Sequence, residues 1–306
     1  MTTTPHGTER THDPSRRAFL AGAATLGLGL AGLLGAPPAS AAPVPRLPGE
    51  ISRRQSQRTA NGTLYDAVQV DIGGDRAWLM IPQGLDLDAP QGLAWFYHGS
   101  GSDHGALLDG FGYEARQLVD RGIACICQDA GGNGYAGPYA IQAQAAGWRY
   151  VSSLARVEAN FLRATSGGGA LAAEVLGAGL VPNVVGLYFV NALWDVRRSY
   201  DLGGRAEIGP AYDYSTAAVD RTNPARHPES AWAGDRIRIV HTTGVDLVTP
   251  PQIHAIPFYE RARVQGADVT IRTHDLGHTT PSWVANEVPI YFKRWFLAWQ
   301  AERARG

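Results

Sequence analysis

Beyond about residue 60, short apolar runs alternate along the chain with longer amphipathic stretches. The apolar runs at 67–72, 76–81, 92–97, 123–128, 184–190, 237–242 and 268–273 predict strands. Apolar positions recurring every three or four residues predict helices over 107–121, 142–159, 171–178, 251–265 and 282–303. Strands alternating with helices predict an α/β fold, a doubly wound and mostly parallel sheet covered on both faces. The two runs within 67–81 read as an antiparallel pair at its leading edge. Residues 195–235 break the alternation, being irregular and rich in Gly, Pro and aromatics. A stretch this long inside a compact domain is functional or disordered, and its aromatic content points to a cap over a pocket. With no internal repeat after the N-terminal region, residues 61–306 are expected to form one domain.

The N-terminal region has a different pattern. Ser15-Arg16-Arg17-Ala18-Phe19-Leu20 is a twin-arginine sequence leading into an apolar, Gly/Ala-rich run over 19–34. Pro37-Pro38 and Ala39-Ser40-Ala41 follow, the last a small-x-small site for signal peptidase. The run is shorter than the ~20 residues a spanning helix needs. Residues 1–41 therefore read as a cleaved signal peptide and residues 42–60, polar and Arg-rich, as a linker. The expected partner is the twin-arginine export machinery, the expected location is outside the cytoplasm, and no stable membrane insertion is expected after cleavage.

Composition narrows the classes of partner. The 306 residues are 44% hydrophobic, enough for one large core, and the formal net charge of −1 gives no bias towards nucleic acid. Cys125 and Cys127 fall two apart in a predicted strand, so their side chains share a face with Cα atoms ~6.5–7 Å apart. That spacing and the parallel Cβ vectors disfavour a disulfide. They read as small core residues, and no cluster of metal ligands surrounds them.

Ligands of doubly wound sheets sit beyond the carboxyl ends of the strands, so the turns there carry the chemistry. After 92–97 comes His98-Gly99-Ser100-Gly101-Ser102-Asp103-His104-Gly105, whose unobstructed amides could stabilise an oxyanion or, alternatively, cradle a phosphate. Ala164-Thr165-Ser166-Gly167-Gly168 frames a serine with small residues two before and two after it. The same segment also fits the end of one long helix running from Trp148 through Leu162, with the glycines as its stop. Gly244-Val245-Asp246 follows the run at 237–242, and Gly277-His278 follows 268–273. Asp195 is the rival acid to Asp246, and His274 and Asp275 compete with His278. Asn133, in the turn after 123–128, is assigned to the rim of the site, and His98 and Trp194 to the substrate pocket.

From about residue 64 to 300 these features resemble α/β-hydrolases of the secreted esterase and prolyl-oligopeptidase-like type. Ala164-Thr-Ser166-Gly-Gly168 resembles the nucleophile elbow, with alanine in place of its first glycine, and the order Ser…Asp…His is that of the fold. The resemblance implies Ser166 as nucleophile, His278 as general base and Asp246 as the acid that orients it. Ser100 or Gly101, together with Gly167, would donate amides to the oxyanion. The expected activity is hydrolysis of a small or polymeric carboxylic ester through an acyl-serine, without a cofactor. Peptide or amide hydrolysis by the same residues, or ligand binding by an inactive member, are the alternatives.

Overall fold

A computed structural model describes residues 42–305, so the expected signal peptide lies outside the described residues. Nine strands form one sheet: β1 (Glu50–Arg58), β2 (Leu64–Ile72), β3 (Asp75–Pro82), β4 (Gln91–Tyr97), β5 (Ala124–Gln128), β6 (Val157–Ser166), β7 (Val184–Ala192), β8 (Arg236–Thr242) and β9 (Asp268–His274). Their spatial order is β1-β2-β3-β5-β4-β6-β7-β8-β9. The first three strands run antiparallel to their neighbours, and β4 to β9 are mutually parallel. The chain leaves β4 for β5 on one side and returns to β6 on the other. The crevice beyond β4 and β6 is therefore the switch point, where ligands of such sheets bind.

The alternation of side chains along the central strands fills two cores. Leu93, Trp95, Leu162 and Ala164 pack with α2 (Pro138–Leu154), α3 (Gly168–Gly177) and α7 (Ala255–Val264). Ala94, Phe96, Phe161, Cys125 and Cys127 face α1 (Gly112–Val119) and α8 (Val284–Arg303). Both cysteines are free and buried. Strands buried on both faces need near-continuous apolar sequence, which is why the central strands other than β6 were readable.

Two expectations fail. Residues 42–60 are not a linker, because β1 lies within them and Val44 and Leu47 are buried. The cause is the buried carboxylate of Asp66, which accepts from Arg53 at 2.7 Å, Gln83 at 2.7 Å, and the Ser56 and Val44 amides at 2.8 and 3.2 Å. Arg53, one of the arginines that made this segment look solvated, holds it to β2. The helix expected over 142–159 stops at Leu154, and residues 157–166 form a central strand instead of continuing it.

Arg163 disguised that strand. Its side chain is 1% exposed and meets Glu114 through two hydrogen bonds of 2.8 and 3.0 Å. A third joins it to the Ala164 carbonyl at 2.6 Å, and its guanidinium stands 5.1 Å from the Phe111 ring. Asn160, buried in the same strand, accepts from the Trp95 indole at 2.8 Å. Arg163 and Asn160 survive in the sheet because each has found a partner. Removing one partner strands a buried charge. Glu114→Ala is therefore expected to lower the unfolding free energy by about 3–5 kcal/mol, read from the urea midpoint at unchanged slope. A loss below about 1 kcal/mol, the level of a surface pair, would contradict a dry Arg163.

Candidate active site

The turn from β6 into α3 puts Ser166 at φ 49°, the left-handed region that side chains seldom adopt. The three glycines that follow leave no room for side chains. A Cβ on Gly168 would stand 2.3 Å from the His98 carbonyl oxygen, and one on Gly169 would stand 2.5 Å from the Ala192 methyl. Ala164, where a glycine was the expected residue, is fully buried and its methyl joins the core. The strand-turn-helix geometry tolerates that substitution.

Ser166 Oγ lies 2.9 Å from His278 Nε2, and His278 Nδ1 lies 2.9 Å from Asp246 Oδ2. Asp246 Oδ1 accepts the Val248 and Thr249 amides, both at 2.9 Å. Burial raises the Asp246 pKa, but the hydrogen bond to His278 and those from Thr249 outweigh it and hold the carboxyl below its usual 3.8. An ionised Asp246 keeps the His278 proton on Nδ1 and frees Nε2 to accept from the serine hydroxyl.

The β4 turn meets this serine. A Cβ on Gly99 would lie 3.0 Å from that of Ser166, and one on Gly167 would lie 3.3 Å from the Ser100 nitrogen. The Ser100 and Gly167 amides have no acceptor among the described residues. Gly101 does not join them, a departure from expectation, because its amide is spent on Asn133 Oδ1 at 2.6 Å. Two expected pocket residues also differ in role. His98 braces the turn to the Asp129 carbonyl at 3.1 Å and, like Asn133, lines a small cavity of about 20 Å³ whose wall also includes Ser100, Tyr135 and Gly167. Trp194 is buried and stacks on Phe258, centroid to centroid at 5.4 Å, because the chain turns inward at the end of β7.

Two of the rival groups, Asp195 and His274, are committed elsewhere. Asp195 caps α4 (Val196–Ser199), accepting from the Arg198 amide at 3.0 Å and from Asn223 at 2.9 Å. His274 contacts Asn191 Oδ1 through Nε2 at 3.2 Å and accepts the Leu276 amide on Nδ1 at 3.1 Å.

Asn191, which no sequence feature singled out, joins the acid and base loops. It has a positive φ of 40° at the end of β7. Its Oδ1 accepts the Thr242 amide at 3.1 Å, its Nδ2 donates to the Thr279 carbonyl at 3.0 Å, and its own carbonyl accepts Thr249 Oγ1 at 2.9 Å. Thr249 Oγ1 is in turn 2.9 Å from Asp246 Oδ2 and 3.2 Å from His278 Nδ1. Neither residue type has a telltale pattern in sequence, because both act through contacts made at long range.

The 195–235 segment is built from short helices, α4, α5 (Arg205–Ile208) and α6 (Thr216–Arg221), joined by tighter turns. Val196, Tyr200, Ile208, Tyr212 and Val219 form its own small core against Tyr135 and Leu193. It walls one side of an open cleft of about 630 Å³ that also contains Ser166 and Gly167. His254 ties the segment down: Nδ1 accepts the Trp194 and Asp195 amides at 3.3 and 3.2 Å, and Nε2 meets Ser199 Oγ at 3.0 Å.

No protein-family model matches the chain, and no curated protein matches it. Solved structures do. An S-formylglutathione hydrolase from Agrobacterium tumefaciens aligns with a TM-score of 0.61 at 15% identity, covering 84% of this chain and 99% of that one. Acetyl xylan esterase 1 from Thermoanaerobacterium sp. aligns at 0.51 with 14% identity, covering 80% and 87%. Prolyl oligopeptidase B from Galerina marginata aligns at 0.52 with 12% identity, covering 80% of this chain but only 35% of that longer one. At such identities the likeness establishes a shared fold.

Burial pushes the His254 pKa down from 6.5 to about 4. The unfolded ring takes a proton as pH falls through 6.5 and the folded ring does not until about 4, so its stabilisation is full above 6.5 and is lost below it. At pH 5 the loss is roughly 2 kcal/mol. In His254→Gln the drop in unfolding free energy between pH 7 and pH 5 should shrink by about that amount. An unchanged drop would mean the folded ring titrates as if in water.

Proposed function

We propose that this chain, which has the α/β-hydrolase fold, is a serine hydrolase that cleaves carboxylic esters. The observation that carries the reading is the unbroken hydrogen-bonded line Asp246–His278–Ser166, with both links at 2.9 Å, ending on a serine in a left-handed turn beside two unspent amides. Ser166 Oγ attacks the carbonyl carbon while its proton passes to His278 Nε2. The tetrahedral oxyanion draws on the Ser100 and Gly167 amides, donors already fixed before charge develops. His278 then protonates the departing alkoxide, leaving an acyl-serine. Water, activated by the same nitrogen, attacks the acyl carbon and releases the acid and free Ser166. This chemistry needs no cofactor.

Ester cleavage is favoured over peptide cleavage by the company the fold keeps. The esterase neighbour is covered over 87% of its length, whereas the oligopeptidase has a further two thirds that this chain does not match. The cap is here a segment of about 40 residues, 195–235, within the same domain as the nine-stranded sheet. The twin-arginine sequence and the Ala39-Ser40-Ala41 site support export of the folded enzyme from the cytoplasm.

A fluorophosphonate probe is expected to label the purified protein at Ser166, located by mass spectrometry, and to leave Ser166→Ala unlabelled. A folded parent protein that stays unlabelled would sink the assignment of Ser166 as an activated nucleophile. Asn191→Ala loosens both loops that hold the imidazole, so kcat for a p-nitrophenyl ester should fall by about 10–100-fold with KM little changed. A fall in KM-controlled binding alone would assign Asn191 to the pocket instead.

A further inference from the structure

The cleft beside Ser166, at about 630 Å³, is far larger than a scissile ester group, so its walls select what is attached to that group. Much of the wall is aliphatic, with Leu193, Ile208 and Ile253 joined by Leu202, Leu247 and Val248. The last three stay exposed to solvent. Among the described residues one charged side chain lines this cleft: Glu207, on α5 of the cap.

Glu207 is held in place. Its Oε1 accepts the Tyr135 hydroxyl at 3.0 Å, and Tyr135 Oη accepts Ser100 Oγ–H at 3.0 Å. Two hydrogen bonds therefore separate the carboxylate from the turn that faces Ser166. The cap's ion pairs run from Arg197 to Asp201 and Asp220 and from Arg226 to Asp220, and they leave Glu207 out. Its Oε2 has no donor among the described residues. Glu207 is exposed, so it offers a cation a carboxylate fixed in place by one hydrogen bond, at the modest strength of a solvated ion pair.

We propose that Glu207 is a specificity-determining residue, and that the cleft takes esters whose acyl or alcohol part ends in an ammonium or guanidinium group. The cationic group seats on the Glu207 carboxylate while the intervening chain lies along the aliphatic wall. This rests on the serine-hydrolase reading above.

The test uses two isosteric substrate pairs, each with one cationic and one neutral member. Choline butyrate is set against 3,3-dimethylbutyl butyrate, and p-nitrophenyl 6-(trimethylammonio)hexanoate against p-nitrophenyl 7,7-dimethyloctanoate. In at least one pair kcat/KM should favour the cation by about 5-fold or more, the size of a partly solvated ion pair. The preference should shrink at high salt and fall to about 1 in Glu207→Gln, with the neutral ester as reference within each protein. Equal rates in both pairs, or a preference that survives in Glu207→Gln, would overturn the proposal. Calorimetric titration of Ser166→Ala with the same esters reads the preference without turnover. Hydrolysis undiminished in Ser166→Ala would instead discard Ser166 as nucleophile, and the binding ratio would still decide Glu207.

Discussion

The structure turns on a lack of space between β6 and α3. Any side chain at Gly168 would collide with the carbonyl oxygens of Tyr97 and His98, and one at Gly167 would collide with Ser100 Oγ. Because those atoms belong to the end of β4, the two turns at the switch point are pressed together. That contact forces Ser166 into a left-handed backbone and brings the Ser100 and Gly167 amides to its side. A residue whose conformation costs energy persists only where its surroundings over-determine it. Here the surroundings are two core strands, each buried on both faces.

Paired buried polar groups supply the next level of order. Arg163 and Glu114 let a central strand carry a charge, and Asp66 gathers the N-terminal segment onto the sheet. Asn191 ties the loops after β8 and β9 to the end of β7. His254 does the same for the start of the cap, and is kept neutral by its burial. These bonds add directional constraint where apolar packing is indifferent to angle. The spacing among Ser166, His278 and Asp246 therefore depends on side chains from strands far apart in sequence.

The cap stands in a different relation to the sheet. It has its own small apolar core, and its polar tether to the β4 turn runs from Glu207 through Tyr135 to Ser100. A wall built this way can vary without disturbing the turns beneath it, which is how one fold serves many substrates.

Much of the architecture was legible along the chain. The central strands are buried on both faces and so, apart from β6, are written as apolar runs, and the turns that follow the strands carry Gly, Ser, Asp and His in the order the topology needs. Ser166, Asp246 and His278 could be picked out because each sits in such a turn. What the sequence could not decide was everything settled by a partner at long range. Arg163 made a strand resemble a helix because its neutralising carboxylate is 49 residues away. Residues 42–60 looked like a linker because the carboxylate that binds them is on β2. That Asp246 rather than Asp195 meets His278, that His278 rather than His274 meets Ser166, and that the Ser100 amide rather than that of Gly101 lacks an acceptor depended on which hydrogen bonds were already taken. Local sequence determines where a polar group can be presented; only the packed tertiary structure determines which of those groups remains free.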